Sequence, residues 1–281
     1  MNAVIQTLPR YVDSARLGRL AVASLHAELA LAPKPGLVTP FDRGSHDDMD
    51  AGTFLRSLFA LRHYFCGIAL AGADDAPFST LRTLGLNAEG AMLRATGGVN
   101  AHRGAIFSLG LLVAAAARCR SSGQPASAEQ VCVAVQQWSA ALMAAPLDPN
   151  SPGQRARALH RIAGVREQAA AGYPVLRALA LPTLRRALAA GLPREAALCH
   201  TLMTLIAQVD DLNLLHRGGA DGLHWARSEA AAFIADGGAF AVGWRPRLQQ
   251  LGDAFVARRL SPGGSADLLA CSWFLLQQEA V

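Results

Sequence analysis

Residues 104–117 read GAIFSLGLLVAAAA, the longest apolar run in the chain, and Arg103 and Arg118 close it at either end. The run is too short for a membrane-spanning helix, which takes about 20 apolar residues. Its alanines and leucines are strong helix formers, and it lacks the alternating β-branched pattern of a half-buried strand. It therefore reads as a helix buried inside a bundle. The same composition recurs in segment after segment, so the chain is expected to be all-α. Helices are predicted over 10–31, 48–70, 80–95, 105–120, 128–144, 155–162, 175–190, 194–209, 221–235, 245–259 and 266–279. Local signals support the scheme: SAEQ at Ser127 is a capping box, Pro193 suits a first helical turn, and Ser265 is placed as an N-cap with Asp267 beside the helix dipole. No stretch reads as a linker, and 1–281 is expected to form a single all-α catalytic domain.

Hydrophobic residues make up 52% of the 281 residues and charged ones only 17%, which excludes disorder and makes each cluster of charge informative. The formal net charge of +5 suits a small anionic substrate, while no dense basic tract with interleaved aromatics points to nucleic acid. No membrane partner is expected either. The five cysteines, Cys66, Cys119, Cys132, Cys199 and Cys271, are odd in number and form no C-x-x-C pair. Neither a disulfide framework nor a zinc knuckle is indicated, and a cytoplasmic protein without a signal peptide is expected.

The polar joints between helices carry the chemistry. GSHDDMD, residues 44–50, places His46, Asp47, Asp48 and Asp50 together with no base inside the run. Ser45 as an N-cap with Asp47 and Asp48 on the helix dipole would account for part of it. Spacings of three and four residues would also put His46, Asp47 and Asp50 on one helix face, where a divalent cation turns repulsion into coordination. A second acidic pair, Asp210 and Asp211, follows an apolar helix and so is expected at its negative C-terminal end, again calling for a cation. His216, Arg217 and Gly218 come next, a combination suited to an anion; a loop salt bridge between Asp211 and Arg217 is the plainer alternative.

In APKPGLV, residues 32–38, the only lysine of the chain, Lys34, stands between two prolines, two helical turns after Glu28. The setting fits phosphate contact by Lys34 and metal or base work by Glu28. GGVNAHRGAIF, residues 97–107, ends in neither the lysine nor the serine of a P-loop and follows no strand, yet it can open a helix whose N-terminus accepts a phosphate, with Arg103 beside it. Asn100, His102, Arg103 and Gly104 are echoed in order by Asn213, His216, Arg217 and Gly218, a weak sign of duplication. His26, His63, His160, His200 and His224 lack such company, and Tyr173 reads as packing.

Six segments in this order, E-x5-KPGLV from Glu28, GSHDDMD, GVNAHRGAIFSLGLL, R-x2-A-x2-GYP, DDLNLLHRGG and SPGGSADLLA, resemble the triphosphoribosyl-dephospho-CoA synthase family from about Glu28 to the last helix. The resemblance implies an all-α enzyme that takes ATP and 3′-dephospho-CoA, releases adenine and makes the prosthetic-group precursor of an acyl carrier protein. DDLNLLHRGG is closer to the malonate decarboxylase branch than to the citrate lyase branch. The chain departs from the family pattern at Ala32, Gln168 and Leu212, with Glu167 a stand-in for Gln168. On this resemblance Mg²⁺ carried by ATP is expected at His46, Asp47, Asp48, Asp50, Asp210 and Asp211. Substrate contacts are expected at Lys34, Asn100, Arg103, Asn213, Arg217 and Gly218. Glu28 is expected to take a proton from the attacking 2′-hydroxyl, and His102 or His216 to protonate the departing base.

Two other functions fit parts of the sequence. The His46-Asp47 doublet superficially matches the H…HD…D pattern of an all-α metal phosphohydrolase. A helical module could instead bind CoA or an acyl carrier without catalysis.

Overall fold

The computed structural model describes residues 2–146, 162 and 164–280, with side chains from Asp13 onward. The helices are α1 Asn2–Leu29, α2 Ala51–Ala73, α3 Phe78–Thr96, α4 Arg103–Ser121, α5 Ala128–Ala134, α6 Ser139–Ala144, α7 Val165–Ala170, α8 Leu181–Ala189, α9 Arg194–Gln208, α10 Leu212–Ala235, α11 Trp244–Ala257 and α12 Gly263–Glu279. No strand occurs among the described residues, so the all-α expectation is met by one multi-helix bundle. The helix expected over 155–162 lies outside the described residues apart from Ile162.

The apolar run forms α4 and sits at the centre, with α2 and α12 along it and α1 packed across all three. Leu109, Leu112 and Val113 are fully buried, each contributing roughly 1.5–3 kcal/mol by leaving water. Small residues let neighbouring backbones come close: a Cβ on Gly72 of α2 would lie 2.1 Å from the Ala114 carbonyl oxygen of α4. Beside this crossing the Tyr64 hydroxyl donates to the Ile106 carbonyl at 2.7 Å. At 19 residues α4 is longer than the apolar run and could span a membrane by length and composition, but 72% of its apolar window is buried by the bundle. Tyr173 is buried as well, its hydroxyl reaching the Ser108 carbonyl at 3.4 Å.

Three helix starts differ from expectation, and each difference moves candidate residues. Helix α2 begins at Ala51, because the Asp50 side chain accepts from the Thr53 amide at 2.8 Å as a capping box. His46, Asp47 and Asp48 therefore stand on a loop, not on one helix face. Ser45 caps nothing; its hydroxyl donates to the Leu260 carbonyl at 2.6 Å. Helix α10 begins at Leu212 and runs through HRGG, absorbing a kink at Gly219 (φ 61°). Asp211 is thus an N-cap, at the helix end that favours a carboxylate, and the unfavourable placement read from sequence does not arise. Helix α12 begins at Gly263, so Ser265 lies within its first turn and is not the cap.

Candidate active site

Glu28 in the last turn of α1 and Lys34 on the following loop form a buried ion pair, 7% and 4% exposed. The ammonium donates to Glu28 Oε1 at 2.6 Å and to the Glu28 carbonyl at 2.7 Å, at the negative end of the helix. Oε2 has no donor among the described residues. Lys34 also lines a cleft of ≈ 430 Å³ with Pro33, Gly36, Arg43, Gly44 and residues of α11, a volume that suits a small ligand. A larger hollow of ≈ 570 Å³ around His224 and Arg227 is lined by none of the candidate residues.

His102 directly precedes α4 and is 3% exposed. Its Nδ1 is 2.7 Å from the Ser57 hydroxyl of α2, and the Phe54 ring packs edge-on at 4.8 Å. Nε2 is buried and has no hydrogen-bond partner among the described residues. Burial, and secondarily the Lys34 charge, press the imidazole down to about 3, so the ring is neutral at physiological pH. At the same helix start the Asn100 side-chain oxygen accepts from the Arg103 amide at 3.1 Å, and the Arg103 guanidinium pairs with Glu89 of α3.

Asp211 ties two helix starts together. Its Oδ1 accepts from the Asn213 amide at 2.9 Å, at the start of α10, and its Oδ2 from the Ser265 amide and hydroxyl at 2.7 and 2.9 Å, in the first turn of α12. Burial raises this carboxyl despite those hydrogen bonds. A third helix start joins them: a Cβ on Gly104 of α4 would lie 2.0 Å from Asp267 Oδ2 of α12, an approach that only glycine permits. The start of α10 thus abuts the first turn of α12 through Asp211, and the start of α4 abuts its second turn at Asp267. Asp267 accepts from no donor among the described residues. Burial, then Glu28 and Asp211, hold it well above the usual carboxylate range.

Arg217, in the second turn of α10, joins the acidic loop to this end of the molecule. It donates to the Ser45 carbonyl at 2.9 Å, to the Arg259 carbonyl at 3.3 Å and to His46 Nδ1 at 2.9 Å. Since the guanidinium can only donate, Nδ1 accepts, and Nε2–H is left to donate to the Ser261 hydroxyl at 2.9 Å. Burial and Arg217 accordingly lower His46 to about 4. The Asp211–Arg217 salt bridge read as the plainer alternative does not form.

The six expected metal ligands do not gather. Both nitrogens of His46 are engaged, Asp50 caps α2, Asp210 pairs with Arg227 at 2.5 Å, and both Asp211 oxygens are saturated. Among the described residues no three His, Cys, Asp or Glu side chains group as a metal cage, so the ligand set of a metal phosphohydrolase is not assembled there either. Asp47 and Asp48 keep exposed carboxylates, with Arg259 at 4.0 Å from Asp47 and His46 at 3.8 Å from Asp48. His216 and Asn213 are exposed on α10, and Gly218 packs under Leu260. The echo between 100–104 and 213–218 does not extend to local roles: Asn100 caps an amide with its side chain, whereas Asn213 lies against Gly263. Of the family departures, Gln168 has a buried Oε1 with no hydrogen-bond partner among the described residues, and Glu167 Oε2 accepts from the Gly164 amide at 2.9 Å. Asp267, Ser57 and Ser265 were not among the candidate site residues; SPGGSADLLA offered one signal, an acid set into an otherwise apolar helix.

The chain matches the family model described as CitG: ATP:dephospho-CoA triphosphoribosyl transferase over residues 14–280. It is 37% identical over 291 residues to a probable 2-(5''-triphosphoribosyl)-3'-dephosphocoenzyme-A synthase 1 of Salmonella choleraesuis, covering 98% of this chain and 96% of the relative. It is 39% identical over 269 residues to a probable synthase of the same name from Citrobacter koseri, covering 92% and 89%. With the 2-(5''-triphosphoribosyl)-3'-dephosphocoenzyme-A synthase of Klebsiella pneumoniae it shares 38% over 263 residues, covering 90% and 87%. No solved structure matches the chain significantly.

Proposed function

The chain belongs to the ATP:dephospho-CoA triphosphoribosyl transferase family, and from that premise we propose that the polyphosphate of ATP is received where the N-termini of α4, α10 and α12 meet. The enzyme moves the triphosphoribosyl group of ATP to 3′-dephospho-CoA with release of adenine. The observation that carries the assignment of place is the junction of helix starts made by Asp211 with Ser265 and by Gly104 with Asp267. It offers partial positive charge to an anion, and Arg103 and Arg217 stand on two of its helices.

The chemistry follows from the buried groups. The 2′-hydroxyl of dephospho-CoA attacks the anomeric carbon of the ATP ribose as the bond to adenine breaks, through an oxocarbenium-like state. Glu28, whose Oε1 accepts from the Lys34 ammonium, offers Oε2 to the hydroxyl proton. His102 acts through hydrogen bonding at its free Nε2, since its ring does not charge near neutral pH. The exposed carboxylates of Asp47 and Asp48 fit Mg²⁺, which needs one or two protein carboxylates when phosphates supply further ligands. Bound there, it would neutralise triphosphate charge. The product would serve the malonate decarboxylase acyl carrier protein, a reading supported by DDLNLLHRGG. A cytoplasmic location is supported by the five unpaired cysteines.

Incubation with ATP, Mg²⁺ and dephospho-CoA tests the proposal: adenine should appear only when both substrates are present. Adenine without dephospho-CoA would mean a nucleosidase, phosphate without adenine a hydrolase, and intact ATP a binding module. Restoring malonate decarboxylase, and not citrate lyase, in a strain lacking its own synthase would support the branch; the converse would refute it.

A further inference from the structure

Helix α11 presents two unlike faces. Leu248, Leu251 and Phe255 pack into the core, while Gln249, Gly252, Asp253, Val256 and Ala257, spaced by three and four residues, form one wall of the ≈ 430 Å³ cleft that Lys34 also lines. The loop opposite is braced. The Asp42 carboxylate accepts from the Gly44 amide at 2.8 Å, and the Ser45 hydroxyl donates to the Leu260 carbonyl at 2.6 Å, just past the end of α11. The two walls are thus held apart at a fixed separation by the protein's own hydrogen bonds.

Gly252 is the feature of this wall that packing does not explain. Glycine inside a helix is less stable than alanine, because the unfolded chain has more freedom to lose. Elsewhere in the bundle a neighbour demands it: a Cβ on Gly18 would lie 2.9 Å from the Cys66 amide nitrogen, and one on Gly72 2.1 Å from the Ala114 carbonyl oxygen. A Cβ on Gly252 would meet nothing nearer than Pro35 Cα at 3.9 Å, an ordinary van der Waals distance. Gly67 of α2 is equally unconstrained but lines neither hollow. At Gly252 the missing side chain leaves bare backbone in the cleft wall, as close approach of a flat ligand requires.

We propose that this cleft is the acceptor's adenosine site, in which the adenine of 3′-dephospho-CoA lies against Gly252 and is read by Gln249. The inference rests on the transferase reading above. ATP and the acceptor both carry adenosine, and the place of Glu28 decides between them. The hydroxyl that Glu28 deprotonates belongs to the acceptor's adenosine ribose, and Lys34, bonded to Glu28 at 2.6 Å, is shared between that base and the cleft. A volume near the low end of small-molecule sites suits a nucleoside, with the rest of the acceptor running outward. Gln249 Nε2 donates to Asp253 Oδ1 at 3.3 Å, which leaves one N–H and the side-chain oxygen for N7 and the 6-amino group of adenine. Val256 and Ala257 give the ring apolar contact, and the exposed Arg43, 3.5 Å from Asp50, supplies a cation for the acceptor's pyrophosphate.

Gly252→Ala separates this role from a structural one, because the two predict opposite signs. Its melting temperature should rise by about 1–4 °C, since alanine restores helix propensity without a clash. Its Kd for dephospho-CoA, measured by calorimetry, should nevertheless rise about tenfold, the scale of forcing a methyl into a packed contact, with ATP affinity within twofold of wild type. Gly67→Ala, the control, should stabilise as well and leave both affinities unchanged. Gln249→Ala should erase the preference of wild type for dephospho-CoA over its hypoxanthine analogue, which presents a carbonyl in place of the 6-amino group. Unchanged dephospho-CoA affinity in Gly252→Ala overturns the proposal. So does a loss confined to ATP, which would make this the donor's site, or a lowered melting temperature with both affinities lost, which would make the glycine structural. Binding is measured apart from turnover, so the two readings fail separately. Wild type that releases no adenine with both substrates sinks the transferase reading, whereas normal turnover with unaltered dephospho-CoA binding in Gly252→Ala sinks this inference alone.

Discussion

In the loop 44–50 the side chains of Asp47 and Asp48 are 95% and 63% exposed, whereas Glu28, Lys34, His102 and Asp211 are each less than a tenth exposed. The loop's charges stand together in sequence and remain largely in solvent, free to meet a ligand. The buried groups are scattered from α1 to the start of α10, and each has been fixed by a specific partner or pressed into its neutral form. Charge density along a sequence marks where an ion can arrive. Isolated polar residues in apolar segments mark where the protein has shaped its own electrostatics, and such groups are costly to disturb.

The largest effect should come from splitting the buried ion pair. Glu28→Ala leaves the Lys34 ammonium enclosed without its counter-charge, and breaking a buried pair from one side costs about 3–5 kcal/mol. Denaturant titration should show this loss; Glu28→Ala with wild-type stability would mean that water reaches Lys34 freely. Adenine release should also be lost, because the proposed base is gone.

Next comes the second acidic pair, whose two neighbours fall on opposite sides of the contrast. Asp211→Ala removes an acceptor shared by two helix starts and strands the Ser265 hydroxyl, for a loss of about 2–4 kcal/mol. Asp210→Ala, one residue away, removes a surface pair with Arg227 worth about 0–1 kcal/mol. Equal losses in thermal unfolding would break the distinction between them.

The sequence made the helices legible because alanine and leucine patterning is local, and it located the joints because glycines and charges cluster there. It misplaced His46, Asp47 and Asp48 on a helix because Asp50 outcompetes the earlier residues for the cap of α2. It began α10 too late, at 221, because the glycines of HRGG read as a break, while Leu260 covers Gly218 and α10 runs from Leu212 through a kink at Gly219. The meeting of Gly104 and Asp211 with the start of α12 was not legible at all. Nothing local tells Ser265 and Asp267 that their neighbours come from the joint before α10 and from the start of α4.

The neutral histidines give a pH signature of intermediate size. An unfolded histidine binds a proton near 6.5, whereas His46 does so at about 4 and His102 at about 3 in the folded chain. The unfolded state therefore binds more protons below 6.5, and stability must fall as pH falls through the window between 6.5 and those lower values. At pH 5 each ring should cost about 2 kcal/mol relative to pH 7. His102→Asn should flatten the stability profile across this window; a profile unchanged from wild type would show that His102 charges without penalty.

The smallest structural effect and the sharpest functional one should come from the exposed loop. Asp47→Asn with Asp48→Asn removes two carboxylates whose nearest partners are Arg259 at 4.0 Å and His46 at 3.8 Å, contacts too long and too wet to matter for folding. The melting temperature should match wild type. If these acids carry the Mg²⁺ that accompanies the triphosphate, the Mg²⁺ concentration for half-maximal adenine release should rise at least tenfold, with much of the turnover recovered at high Mg²⁺. The same double change lifts the Coulomb support that holds Arg217 near the loop, so ATP affinity measured without Mg²⁺ provides the control. If the carboxylates act only through Arg217, affinity shifts equally with and without Mg²⁺. If they hold the cation, the shift appears only when Mg²⁺ is present, and an unchanged Mg²⁺ requirement would return the loop to the solvent-facing role that its exposure alone describes.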